Sequence, residues 1–74
     1  MPALKYFAYK VATTKGVEHF NWLEALREYI KEKSEDELVK ELIRINADNE
    51  LKAILEAGAK GKLYYEIQKK LRGG

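Results

Sequence analysis

Tyr65, Gln68, Lys69 and Arg72 recur at i, i+3, i+4 and i+7, so a helix through them would gather all four on one face. The set joins an aromatic ring, a hydrogen-bonding amide and two cations, the side-chain types that contact phosphates and base edges of nucleic acid. Lys60 and Lys62 add charge where such a helix would start. The same residues also make an ordinary solvated amphipathic face, and periodicity alone favours that plainer reading.

Enzyme chemistry is poorly provided for. The 74 residues hold one histidine, one serine and no cysteine. Nucleophilic catalysis needs a hydroxyl or thiol beside a base, and His19 is the only imidazole. Ser34, followed by three acids, reads as a helix cap. His19 beside Phe20 and Trp22 reads as an anchor between packed layers rather than a ligand pocket. A lone histidine with scattered carboxylates lacks zinc-site spacing, and Gly58-Ala59-Lys60-Gly61 is too short for a phosphate loop. The reading is a non-enzyme with no metal, no cofactor and no small-molecule ligand.

A chain this short forms one domain with a marginal core, and without cysteine no disulfide can staple it. There is no apolar run long enough to span a membrane and no signal-peptide pattern at the start. These features point to a cytoplasmic protein. Abundant Lys and Glu with few Gln, Met and Cys give the composition a thermophile-like cast. The net charge of +2 is unevenly spread: residues 1–17 carry +3, residues 34–50 carry −4 and residues 51–74 carry +4. Basic ends around an acidic middle create local positive field without a strongly basic whole.

The elements that must position these residues begin with a strand. Tyr6, Phe7, Tyr9 and Val11 favour a pleated surface over residues 4–11, although each alternating face carries one lysine. Thr13-Thr14-Lys15-Gly16 reads as a turn with Gly16 at positive φ, and Val17 to Phe20 as a short return strand. Asn21 opens a helix whose apolar face is Trp22, Leu23, Leu26, Tyr29 and Ile30. Ser34-Glu35-Asp36-Glu37 is a capping box for a helix over 35–46 that buries Leu38, Val39, Leu42, Ile43 and Ile45. Asp48 or Asn46 caps a third helix over 49–57 carrying Leu51, Ile54 and Leu55, closed by Gly58 in the left-handed conformation. After Gly61, a fourth helix over 62–72 turns Leu63, Tyr64, Ile67 and Leu71 inward. Gly73-Gly74 is a frayed tail.

The fold expected is α+β and mostly helical: an N-terminal β-hairpin or single strand over 1–20, then about four short helices over 21–72.

Ala57-Gly58-Ala59-Lys60-Gly61-Lys62-Leu63-Tyr64-Tyr65 resembles the turn and recognition-helix start of tetracycline-repressor-type regulators, which read A-G-V-S-K-G-T-L-Y-Y. That family places the last of three helices in the major groove. The resemblance implies Lys60, Lys62 and Tyr65 near DNA. Here the capping serine is missing, which shortens the turn by one residue. Lys5 to Gly16 is similar to the opening strand and loop of NusG-type elongation factors, whose later strands are absent. Leu71-Arg72-Gly73-Gly74 is similar to the ubiquitin tail, on a pattern with too few strands for that fold.

The expected function is binding of nucleic acid, chiefly DNA, by a helix-turn-helix-like element at 49–72. Its site is Lys60, Lys62, Tyr65, Gln68, Lys69 and Arg72, assisted by Lys5, Lys10 and Lys15 if the hairpin lies on the same side. The alternative is a protein–protein interaction module, most simply a homodimer paired through the N-terminal strand.

Overall fold

In the computed structural model, which describes residues 3–58 and 60–73 (Lys60 by its backbone alone), the chain is all-helical. The helices are α1 (Leu4–Thr13), α2 (Gly16–Glu32), α3 (Glu35–Ala47), α4 (Asn49–Gly58) and α5 (Lys60–Leu71). Among the described residues there is no strand, so the α+β expectation is corrected. The homodimer built on an N-terminal strand goes with it.

The reason lies in which period of residues 4–13 is buried. Leu4, Ala8 and Val11 are almost wholly enclosed, and Phe7 is half-buried. That spacing of i, i+3, i+4 and i+7 is one helical stripe. Strand alternation would have sent Leu4 and Val11 to opposite faces, each shared with a lysine. The β-preference of Tyr6 and Tyr9 is a preference for packing, and both rings are left largely exposed. Tertiary burial therefore outweighs local propensity.

The turn expected at Thr13–Gly16 shrinks to Thr14 and Lys15, two extended residues between helices. The hydroxyls of Thr13 and Thr14 donate to the carbonyls of Tyr9 and Lys10, closing α1. Gly16 takes φ +65° as the first residue of α2, a conformation that suits glycine. The helix thus starts five residues before the expected Asn21 cap and absorbs the return strand, Val17 to Phe20.

Of the later N-caps, Ser34 forms as read, and of the two residues offered for α4 it is Asp48 that serves. Ser34 Oγ accepts the Glu37 N–H at 3.3 Å, with Glu35, Asp36 and Glu37 at the positive end of α3. Asp48 Oδ1 accepts the Leu51 N–H at 3.1 Å and opens α4. Three details differ. Val39 and Ile43 stand exposed on the outer side of α3, because Leu38 and Ile45 already fill its inner side. Gly58 ends α4 without positive φ; its α-carbon instead approaches α1, where a methyl would lie 3.6 Å from the Ala12 carbonyl oxygen. Gly61 lies inside α5 rather than before it, because that helix already begins at Lys60.

Gly61 has no positive φ, and among the described residues a methyl there would meet nothing within 4 Å. Gly61→Ala should therefore stabilise the domain by about 0.5–1 kcal/mol through helix propensity, read as a higher denaturation midpoint.

The core joins all five helices: Leu4, Ala8 and Val11 of α1, Leu23, Leu26 and Ile30 of α2, Leu38 and Ile45 of α3, Leu51 and Leu55 of α4, and Leu63 and Ile67 of α5. Trp22 fills the seam between α1 and α2, its ring 5.5 Å from Tyr6 and 6.1 Å from Phe7. The radius of gyration is 11.4 Å, close to the about 11 Å of a packed chain of this length. No described helix is long and apolar enough to cross a membrane.

Candidate nucleic-acid interface

The inner side of α5 sets its outer side. Leu63 and Ile67 are buried, Glu66 is nearly so and Lys70 is half-buried. That stripe is rotated from the expected one: Leu71 is exposed, and Tyr64 is only partly covered, donating to Asn46 Oδ1 of α3 at 3.0 Å. The rotation turns two polar side chains toward α2. Glu66 receives a 2.9 Å bond from the Arg27 guanidinium of α2, and Lys70 Nζ donates to the carbonyls of Lys31 and Lys33 at the end of α2. Long polar side chains thus occupy the α2 side of α5. The Glu66 hydrogen bond is the main reason the Arg27 pKa rises above its ordinary value, with Tyr65 close enough to contribute.

Lys70 acts as a tertiary C-cap, bringing a cation to the negative end of α2. Lys70→Met should cost about 1 kcal/mol, measured by urea denaturation followed through Trp22 fluorescence.

These contacts place α2 and α5 side by side in one direction. His19 meets Lys62, Arg27 meets Glu66 and Lys31 meets Lys70, each pair further along both helices. The outward residues Tyr65, Gln68, Lys69 and Arg72 line one shallow surface of α5. All four are exposed, Tyr65 to 62%. Lys69 also borders a groove of about 460 Å³ between α2 and α5, with Arg27 and Lys31 on its other wall.

The structure therefore gathers Tyr65, Gln68, Lys69 and Arg72. Lys62 stands exposed at the start of the same helix, its ammonium against His19 Nε2. The other ring nitrogen, Nδ1, bonds the Val11 carbonyl at 2.9 Å. A ring donating there from Nδ1 presents a lone pair to Lys62. The side chain of Lys60 lies outside the described residues. The auxiliary lysines sit in other surroundings. Lys10 lies over the rings of Tyr6 and Trp22, at 5.8 and 5.6 Å. Lys5 borders a groove with Asp48 and Glu50 between α1 and α4, and Lys15 is exposed at the α1–α2 turn.

Two cations escaped the sequence reading. Arg27 and Lys31, at i and i+4 on α2, flank the α5 surface. Their spacing was visible, but the side-by-side packing that brings them to α5 was not. Among the described residues no cluster of three potential metal ligands forms.

Comparison with known proteins gives no match to a family model, a curated protein or a solved structure.

Proposed function

We propose that this protein binds nucleic acid, with DNA as the leading ligand, through the outer side of α5. The observation that carries the reading is the grouping of Tyr65, Gln68, Lys69 and Arg72 on one exposed surface, continued across a groove by Lys31. Lys69, Arg72, Lys31 and Lys62 neutralise phosphates, while Gln68 and Tyr65 stand where base edges or sugars would lie. With α5 beginning at Lys60, before the expected residue 62, this is a helix-presenting domain related only loosely to a helix-turn-helix.

The test is fluorescence anisotropy of labelled DNA at about 50 and about 200 mM salt. Several phosphate contacts predict an affinity that falls by orders of magnitude between the two. Absence of binding at the lower salt defeats the reading.

A further inference from the structure

Phe20 is 67% exposed on α2, a large ring with no place in the core. Its position is set by neighbours that belong to the α5 surface. The Phe20 ring packs edge-on against His19, with centroids 5.6 Å apart, and His19 in turn meets Lys62 of α5. Further along α2, Arg27 and Lys31 stand at i+7 and i+11 from Phe20, on the same side of the helix. Both border the groove shared with Lys69.

Tyr65, another exposed ring, stands three residues beyond Lys62 on the parallel helix. With His19 level with Lys62, Tyr65 stands about 3 Å further along the helix axes than Phe20. Two exposed rings therefore lie along the α2–α5 surface together with Lys62, Lys31 and Lys69, while Arg27 there is paired with Glu66 and Glu24. Duplex DNA shields its base faces by stacking and offers such rings nothing to lie against. A single strand offers both a stackable face at each nucleotide and a phosphate beside it.

Resting on the nucleic-acid reading above, we propose that the joint α2–α5 surface is a site for single-stranded nucleic acid, with Phe20 and Tyr65 stacking bases and the flanking cations holding phosphates. Stacking is tolerant of base identity, so the site has little sequence preference.

The test compares a labelled oligothymidine of about 20 nucleotides with a duplex of equal length, by anisotropy at about 100 mM salt. The wild-type protein should bind the single strand at least tenfold more tightly. Phe20→Ala should weaken single-strand binding by about 5- to 100-fold, the worth of one stacked base, and leave duplex binding unchanged. Phe20→Trp should restore it, and a helical circular dichroism spectrum checks that each variant is folded. If the single strand binds no better than the duplex, or Phe20→Ala leaves it unaffected, the stacking site is refuted while salt-dependent duplex binding keeps the broader reading. Equal losses on both ligands also refute it, because paired bases cannot stack on Phe20. Failure of both ligands to bind defeats the two proposals together.

Discussion

The double variant Lys69→Ala, Arg72→Ala is expected to lose about 10- to 100-fold in DNA affinity at about 50 mM salt while unfolding at an unchanged denaturant midpoint. Both residues lie on the open surface of α5, so their removal leaves the core untouched. The cleaner signature is in the salt dependence. Each lost phosphate contact lowers the slope of log K against log salt by about 0.9, so the double variant should lose roughly 1.8. Because this term is electrostatic, the loss should be similar for different DNA sequences. Gln68→Ala, by contrast, should change the preference among sequences more than the slope. An affinity and slope equal to wild type would move the site away from α5. Loss of affinity with a lowered unfolding midpoint would mean that the variant reports damage to the fold.

Glu41→Ala is expected to remove about 2–4 kcal/mol of folding stability. The Glu41 carboxylate of α3 accepts the Leu4 N–H at 2.9 Å and the Tyr29 hydroxyl at 2.9 and 3.0 Å. Helix α1 has no side-chain cap of its own at Ala3. Glu41 fills that place from another helix, setting a negative charge at the positive end of α1 and tying it to α2 through Tyr29. Truncation leaves two part-buried donors without an acceptor. A domain of this length has only about 4–11 kcal/mol in total, so the denaturant midpoint should fall by about a fifth or more at constant m value. A change below about 0.5 kcal/mol would show that water replaces the carboxylate without penalty.

The same junction predicts a loss of stability in alkali. Burial, reinforced by the hydrogen bond to Glu41, raises the Tyr29 pKa to about 12. Its ordinary value is about 10. Below that value both folded and unfolded chains keep the phenol proton, and the contribution is intact. Between the two values the unfolded chain ionises first, so stability declines as pH rises through this window and the contribution is lost above it. Tyr29→Phe should flatten that part of the stability curve. In an absorbance titration, Tyr29 should ionise above the ordinary tyrosine range, and Tyr29→Phe should remove that late step.

How much of this was legible beforehand depends on the range of the interaction concerned. The Ser34 and Asp48 caps were readable because a cap and its N–H donor lie three residues apart. The exposed grouping on α5 was readable because a helix places i, i+3, i+4 and i+7 together whatever surrounds it. The apolar face of α2 was readable for the same reason, with Leu23, Leu26 and Ile30 buried. Residues 4–20 were misread because their local preferences are ambiguous. Tyr6, Phe7, Tyr9 and Val11 suit a strand in isolation, and only the joint burial of Leu4, Ala8 and Val11 among the other helices selects the helix.

The sequence by itself therefore determined where helices α3 and α4 start, that Ser34 caps the first of them, and that aromatic, amide and basic groups would share one side of α5. Each of these depends on atoms a turn or less apart. Only the tertiary structure decided that the N-terminal segment is helical and that Glu41 caps it from 37 residues away. It likewise decided that Arg27, Lys31 and Phe20 of α2 adjoin the α5 surface. These outcomes depend on contacts between residues far apart in the chain, whose free energy exists only once the helices have packed.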